Sequence, residues 1–236
     1  MEKTAIVVAS CWKYRSFWKP FFYFFNKCWQ DCTYKKYLVT DWLNENVVID
    51  GVKIIRGANQ SWGTNMKNCL KQIDEQTIIL FLEDFFLVNK INSSLIDDYV
   101  NHLIDKKIAC IRLFPFPGPD SPYSERKDLG IISPGQDWRL SLQTAIWDKN
   151  IFNNLLRDGD STYSVEVPGT KRTNTIPQLF LSVVCSEKVN TPPFTEGVMK
   201  ENMFAYIMGS RDKWTAEAIQ YCQENKLDID FVIHRG

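Results

Sequence analysis

A continuous apolar run from Thr77 to Leu82 is the feature that most restricts how this chain can fold. A strand without polar alternation is typical of a parallel sheet that is covered on both faces. The run ends abruptly at two acidic residues, Glu83 and Asp84, before a second apolar segment begins at Phe85. The sequence therefore predicts a buried central strand with two carboxylates at its carboxyl end.

Strand-like and helix-like segments alternate along the rest of the chain. Short apolar or β-branched segments predict strands at 4–9, 36–39, 52–55, 85–88, 108–113, 139–146 and 179–184. Apolar residues at helical spacing predict helices at 17–29, 61–73, 94–106, 148–155 and 213–225, with N-caps at Ser16, Ser61 and Asp148. Strands that alternate with helices form right-handed βαβ units and a mainly parallel sheet. We therefore expect an α/β fold, a Rossmann-like sheet flanked by helices.

Two regions give less regular patterns. Residues 114–136 contain five prolines and three glycines, which predicts a long surface loop. Residues 196–207 have the pattern of a β-hairpin. Long loops in compact domains often carry function, so the first region is also a candidate for substrate contact.

Length and composition restrict the class of protein. A chain of 236 residues that is 44% hydrophobic fits one domain with one sizeable core. Its 28 basic and 28 acidic residues balance, so no overall field favours nucleic acid. Seven cysteines without a C-x-x-C pair, and no signal-peptide pattern, indicate a cytoplasmic protein with reduced thiols. The most apolar window, 17–29, falls short of the roughly 20 residues of a membrane span.

Polar residues follow three of the predicted strands. They are Ser10, Thr40, Asp41, Glu83 and Asp84. Because ligands of open α/β sheets bind beyond the carboxyl ends of the strands, these side chains are the first candidates for a binding site. A carboxylate pair at such a point suits Mg²⁺ or Mn²⁺ that bridges nucleotide phosphates, although a solvated acidic pair gives the same pattern.

A set of segments, in this order along most of the chain, resembles a bacterial family of GT-A-type glycosyltransferases that build surface polysaccharides. They are Tyr14, 18–21, 29–32, 37–40, 61–63, 79–87 and 140–147. The resemblance implies a single GT-A domain, 1–236, with a nucleotide-binding half at 1–113 and an acceptor-side half at 114–236. It also implies inverting transfer of a sugar from a UDP-linked donor to a hydroxyl of a surface glycan.

The resemblance further implies a set of site residues. Glu83 and Asp84 stand where the family has its metal-binding D-x-D motif, and Phe86 replaces the last carboxylate of that motif. The pattern fits either a site for Mn²⁺ or Mg²⁺ at these carboxylates or a metal-independent enzyme. The residues implied to line the nucleoside pocket are Ala9, Ser10, Thr40, Asp41 and Ser61.

Acidic residues after the 148–155 helix supply candidates for the base that deprotonates the acceptor hydroxyl. The matching positions are Glu166, which is preferred, and Asp160. Arg139, with Lys171 and Arg172, offers positive charge for the leaving phosphate.

Other classes of protein fit the sequence less well. A nucleotidyltransferase would have a glycine-rich loop after its first strand, and here that loop contains no glycine. The sequence also lacks the motifs of P-loop NTPases, dinucleotide-dependent oxidoreductases and serine hydrolases. A carbohydrate-binding or scaffold protein that kept the fold and lost turnover remains the alternative function.

Overall fold

The computed structural model of the protein describes residues 4–42, 47–184, 203–210 and 213–233. Nine strands form one sheet in the order β3-β2-β1-β4-β9-β6-β10-β8-β7, and β5 and β11 form a separate pair. The strands are β1 Thr4–Ala9, β2 Lys35–Thr40, β3 Val52–Arg56, β4 Thr77–Leu82, β5 Phe85–Leu87, β6 Cys110–Arg112, β7 Ser121–Pro122, β8 Leu129–Ile131, β9 Ala145–Asp148, β10 Phe180–Val183 and β11 Tyr206–Met208.

The large sheet is mainly parallel, as the sequence predicts. The first four strands in spatial order pair in parallel, and so do β6 and β10. Only β9 and β8 run against the other strands, since β9 lies antiparallel between β4 and β6 and β8 pairs antiparallel with β10 and β7. The carboxyl ends of β1, β2 and β4 therefore lie side by side at one edge of the sheet.

Strand β4 is buried on both faces, which explains its apolar sequence. Ile79 and Phe81 belong to one core cluster, and Ile78 and Leu80 belong to the cluster on the other face. All four side chains are completely inaccessible to solvent. Helices cover both faces, so neither side of the strand has a place for a polar residue.

Six α-helices flank the sheet in the described residues. They are α1 Trp18–Cys28, α2 Trp62–Leu70, α3 Ser93–Lys106, α4 Lys149–Leu155, α5 Thr162–Glu166 and α6 Ala216–Glu224. Helices α1, α3 and α6 contribute to the first core cluster, and α2, α4 and α5 contribute to the second. No helix in the described part of the chain is long and apolar enough to cross a membrane.

The predicted N-cap at Ser16 is wrong. A 3₁₀ helix, Trp12–Phe17, runs directly into α1, so Ser16 lies inside helical backbone and the cap position falls at Phe17 without a side-chain cap. By contrast, Ser61 and Asp148 each accept a hydrogen bond from the backbone three residues ahead, as predicted.

The predicted loop at 114–136 is more ordered than its composition indicates. It contains β7 and β8, which extend the sheet at its edge. Pro122 is tolerated there because the missing N–H is harmless on an outermost strand. The remaining prolines lie outside both strands.

The strand predicted at 139–146 begins later, at Ala145. Gln143 donates its backbone N–H to the Ser141 hydroxyl at 3.2 Å, and Leu142 donates to the Glu166 carboxylate at 2.7 Å. Side-chain acceptors thus take the backbone donors that a ladder would need.

Two further predictions have a limited answer. Of the hairpin predicted at 196–207, residues 196–202 lie outside the described residues, and β11 pairs antiparallel with β5. The division into halves at 113 stays a prediction, although β9 from the second half lies between two strands of the first.

The six cysteines that the structure describes are free thiols, of which four are buried.

Candidate functional site

The carboxyl ends of β1, β2 and β4 open onto two adjoining cavities. The first, the nucleoside-side cavity, has a volume of about 300 Å³, and its lining includes Ala9, Ser10, Thr40, Asp41, Ser61, Gly159 and Asp160. The second, the carboxylate-side cavity, has a volume of about 310 Å³, and its lining includes Tyr14, Glu83, Asp84, Leu142, Glu166 and Ser210. Both cavities are also lined by Ala9, Ser10, Cys11, Trp62 and Thr162, so they adjoin one another.

Asp41 fixes the two loops that follow β1 and β2. Its Oδ1 accepts the backbone N–H of Trp12 at 2.7 Å and that of Trp42 at 2.8 Å. The Thr40 hydroxyl lies 3.3 Å from the same oxygen. Every hydrogen bond that the described residues give to Asp41 ends on Oδ1. No described residue donates a hydrogen bond to Oδ2, and Asp41 lines the nucleoside-side cavity.

Ser61 has a structural role in the wall of the same cavity. Its hydroxyl caps α2 by accepting the N–H of Thr64, and it also accepts the N–H of Gly159 at 3.0 Å. Trp62 is half-buried against the second core cluster and lines both cavities. Ser61 thus both caps α2 and, with Trp62, forms part of the cavity wall.

The start of α2 packs closely on the turn at 157–160, and Gly63 permits this contact. A Cβ atom at Gly63 would lie 2.5 Å from the Arg157 carbonyl oxygen, which is backbone and cannot move aside cheaply. The Gly63 N–H donates to the Asp160 carbonyl at 2.8 Å. This close approach brings Gly159 and Asp160 into the cavity wall. In the sequence, the glycine directly after Trp62 is the one sign of this contact.

Asp160 is held in an ion pair. The guanidinium of Arg172 donates to Oδ2 at 2.5 Å and to Oδ1 at 2.9 Å. The Arg157 N–H and the Ser164 hydroxyl donate to the same carboxylate at 2.8 and 3.1 Å. The Arg172 guanidinium holds the pKa of Asp160 below its usual range. Both oxygens are occupied, and the positive charge of Arg172 is used inside the protein.

Glu83 and Asp84 have no such neutralising partner. Burial, with the negative charge of Asp84 as the next cause, raises the pKa of Glu83 well above its usual range. Burial raises the pKa of Asp84 to about 7, although the backbone N–H of Ser210 donates to its carboxylate. No lysine or arginine is among the described residues that line either cavity. The described lining therefore supplies no positive charge to stabilise the ionised form of either carboxyl group.

Glu166 is the last residue of α5 and lines the carboxylate-side cavity. Its Oε1 accepts the Leu142 N–H at 2.7 Å and the Ser141 hydroxyl at 3.0 Å. The structure thus brings this candidate base to the same cavity as Glu83 and Asp84. The described residues donate nothing to Oε2.

The structure does not bring Arg139 to the site. Its guanidinium is buried, where it donates to the carbonyls of Ile132 at 2.8 Å and Thr173 at 2.6 Å and lies 4.0 Å from the centre of the Phe180 ring. A guanidinium whose donors are taken by backbone carbonyls in the core cannot reach a phosphate in the cavities. We therefore leave Arg139 out of the proposed donor site.

Lys171 also lies elsewhere. It lines a third depression of about 540 Å³ together with Asp137, Tyr163, Val167 and Asn174. Thr162 and Glu166 of the α5 segment face the two cavities, whereas Tyr163 and Val167 face this depression. Helix α5 therefore separates the depression from the candidate site.

The segment at 209–210 is a part of the site that the sequence does not reveal. The Gly209 N–H donates to the Asp84 carbonyl at 2.6 Å, and a Cβ atom at Gly209 would lie 2.9 Å from the Phe17 ring. Glycine thus lets Ser210 approach the Asp84 carboxylate. The Gly-Ser pair after an apolar stretch is the only signal, and it fits an ordinary turn equally well.

The described residues contain no group of three or more His, Cys, Asp or Glu side chains placed to hold a metal ion. Glu83 and Asp84 are adjacent carboxylates that both line the carboxylate-side cavity, whereas Oε1 of Glu166 is bonded to the 141–142 segment.

No protein-family model and no curated protein sequence matches this chain. Solved structures similar to it include S. aureus TarS 1-349, which is 12% identical over 77% of this chain and 60% of that chain, with a TM-score of 0.47. The same fragment in complex with UDP-GlcNAc is 15% identical over 65% of this chain and 48% of that chain, with a TM-score of 0.43. An active-site mutant of LgtC is 8% identical over 94% of this chain and 95% of that chain, with a TM-score of 0.49. Likenesses at this level assign neither a family nor a substrate.

Proposed function

We propose that the protein is a GT-A-type glycosyltransferase that moves a sugar from a nucleotide donor, UDP-linked in the first instance, to an acceptor hydroxyl. The observation that carries the proposal is the convergence of Asp41, Glu83, Asp84 and Glu166 on two adjoining cavities at the carboxyl ends of the strands. In open α/β sheets this edge is where nucleotides bind. The resemblance of the sequence to surface-polysaccharide transferases extends the proposal to a glycan acceptor and a cytoplasmic location.

The charge of the site favours a divalent cation as part of the donor complex. Nucleoside diphosphates are anionic, and the described lining of both cavities holds carboxylates and no basic side chain. Mg²⁺ and Mn²⁺ are commonly held by one or two carboxylates, with substrate phosphates completing the coordination. The raised pKa values of Glu83 and Asp84, which burial causes in both, fit such a site, because a bound cation would favour the ionised form of each buried carboxylate.

We assign Asp84 and Glu83 as the residues that hold the cation. When bound, the cation neutralises the charge that develops on the departing diphosphate. Asp84 is the second residue after β4, and its backbone carbonyl and its carboxylate both accept hydrogen bonds from the 209–210 segment. Phe86 is fully buried in the core, so it has no part in the cavity.

Each residue of the nucleoside-side cavity has a proposed task. Asp41 Oδ2 accepts a hydrogen bond from the base or the ribose, and Ala9 and Ser10 lie beside it at the end of β1. Thr40 supports Asp41 from within the buried strand end. Ser61 shapes the wall through its bonds to Thr64 and Gly159.

Glu166 is the proposed general base of an inverting transfer. The acceptor oxygen attacks the anomeric carbon, the bond from that carbon to the phosphate oxygen breaks, and the hydroxyl proton passes to Glu166. Asp160 is less suited to this task, because Arg172 stabilises its ionised form and occupies both of its oxygens. We therefore give Asp160 the role of a wall residue.

The first test is nucleotide binding followed by thermal unfolding. The ligands are UDP, GDP, CMP and dTDP, each with EDTA, Mg²⁺ or Mn²⁺, and the proteins are wild type, Asp84→Asn and the control Glu125→Gln. Glu125 is a surface carboxylate paired with Lys106, and it lines neither cavity. We expect stabilisation by one nucleotide only with the metal, lost in Asp84→Asn and kept in Glu125→Gln.

Two results would change the assignment. Stabilisation by an oligosaccharide but by no nucleotide would move the protein to the alternative, a carbohydrate-binding or scaffold protein without turnover. Stabilisation by a nucleotide in EDTA that Asp84→Asn keeps would remove the metal from the proposal. Where turnover is found, the anomeric configuration of the product, read by NMR, decides between inversion and retention.

A further inference from the structure

We infer that Ser141 and the backbone amide of Leu142 are positioning groups for Glu166, and that they make Oε2 the atom that receives the acceptor proton. The inference rests on the proposed function. Both donors end on the same oxygen, with the Leu142 nitrogen 2.7 Å and the Ser141 hydroxyl 3.0 Å from Oε1. An oxygen that already accepts two hydrogen bonds is the poorer proton acceptor of the two.

The Ser141 hydroxyl is itself oriented. It accepts the backbone N–H of Gln143 at 3.2 Å, so its own single proton is directed to Glu166. The side chain is buried, with 4% of the residue exposed, and water therefore has little access to replace either bond. A hydrogen bond to an ionised carboxylate in such a place is stronger than a bond between neutral groups.

Two buried arginines fix the segment that carries these donors. Arg112 donates to the carbonyls of Pro117, Trp138 and Arg139. Arg139 donates in turn to the carbonyl of Thr173 at 2.6 Å, and the Leu140 N–H donates to the Thr170 hydroxyl at 2.9 Å. Arg139 therefore has a structural role and does not bind phosphate, since it fixes the backbone that carries Ser141.

The same segment is linked through Tyr206 to Phe85, the residue after the carboxylate pair. Gln143 accepts the Tyr206 hydroxyl at 3.0 Å, and the Tyr206 ring stacks on Phe85 with 4.0 Å between ring centres. Phe85 directly follows Asp84. One continuous set of contacts therefore sets the separation between the candidate base and the proposed cation site.

A double-mutant comparison tests the inference. The reaction is nucleotide release from UDP-GlcNAc, UDP-glucose, UDP-galactose and GDP-mannose with Mn²⁺ and water as the acceptor. Wild type is compared with Ser141→Ala, Glu166→Gln, the double variant and the control Ser182→Ala. Ser182 is another buried serine, in β10, and among the described residues its hydroxyl bonds to the Val183 carbonyl alone.

We expect Ser141→Ala to lower kcat about tenfold with KM unchanged, because one hydrogen bond to a charged group is lost. In the Glu166→Gln background the same change should have no further effect on kcat, and Ser182→Ala should match wild type. Thermal unfolding of each variant confirms that it is folded. If Ser141→Ala does not fold, Ser141→Cys, which keeps the size but only a weak donor, takes its place in the same comparison.

Three outcomes would overturn the inference. Full kcat in Ser141→Ala would show that the bond does not matter, and an equal loss in the Glu166→Gln background would show a role that does not act through Glu166. Either of these leaves the proposed function intact. Absence of nucleotide release by wild type with every donor would remove the proposed function together with the inference.

Discussion

Asp160 and the Glu83–Asp84 pair lie in adjoining cavities, yet the protein treats their charges in opposite ways. Asp160 meets the guanidinium of Arg172, and this contact lowers its pKa. Glu83 and Asp84 meet no cation among the described residues, and burial raises the pKa of both. The first carboxylate is stabilised as an anion within the fold, whereas the other two are not.

This difference separates a structural acid from candidate functional acids. A neutralised carboxylate has little to gain from a further cation, so Asp160 is suited to holding α5 and the 157–160 turn together. A buried carboxylate without a positive partner lowers the stability of the protein, and binding of a cation or a proton removes this cost. Strongly raised pKa values in a cleft are therefore a physical reason to place ligand binding at Glu83 and Asp84.

The largest effect on stability is expected from breaking the ion pair. Asp160→Asn leaves the Arg172 guanidinium without its counter-charge, and the free energy of unfolding should fall by about 3 kcal/mol. Thermal or urea unfolding measures the change. The matched control is Asp158→Asn, two residues away, whose exposed ion pair with Lys67 should contribute nothing measurable. An equal loss in both variants would contradict the comparison.

The contribution of Asp160 should also depend on pH. Its folded pKa is lowered, so the stability it provides is present above the pKa of the unfolded state, which is about 3.9, and is lost as pH falls through the folded value. The difference in unfolding free energy between wild type and Asp160→Asn should therefore be constant near neutral pH and shrink below about pH 4. A difference that stays the same down to pH 2 would show that Arg172 does not act through the charge of Asp160.

Local patterns were enough to predict most of the fold. The apolar run at Thr77–Leu82 is β4 to the residue, and the caps at Ser61 and Asp148 begin α2 and α4. Errors occurred where long-range contacts override the local pattern. The 139–144 segment has strand-like alternation, but Glu166 and Thr170 take its backbone donors.

The candidate site was predictable where it follows strand ends. Ser10, Asp41, Glu83 and Asp84 line the cavities because parallel strands end at one edge. The carboxylates of the second half could not be told apart in the same way. Both are acidic residues after α4, and only the folded chain shows that Asp160 meets Arg172 and Glu166 meets Ser141.

The smallest effect, and one of opposite sign, is expected from Glu83→Gln. The raised folded pKa means that Glu83 costs stability near neutral pH, since the folded protein must either bury its charge or bind a proton that the unfolded chain releases. Glutamine avoids both costs, so in EDTA the free energy of unfolding should rise by about 1 kcal/mol. The gain should disappear below about pH 4, where the unfolded carboxyl is protonated too. With Mn²⁺ and the nucleotide that binds, we expect wild type to be more stable to unfolding than Glu83→Gln, because only the wild type keeps both carboxylates for the cation. A destabilised Glu83→Gln in EDTA would show that Glu83 is compensated within the fold, as Asp160 is, and the contrast between the two regions would then rest on Asp84 alone.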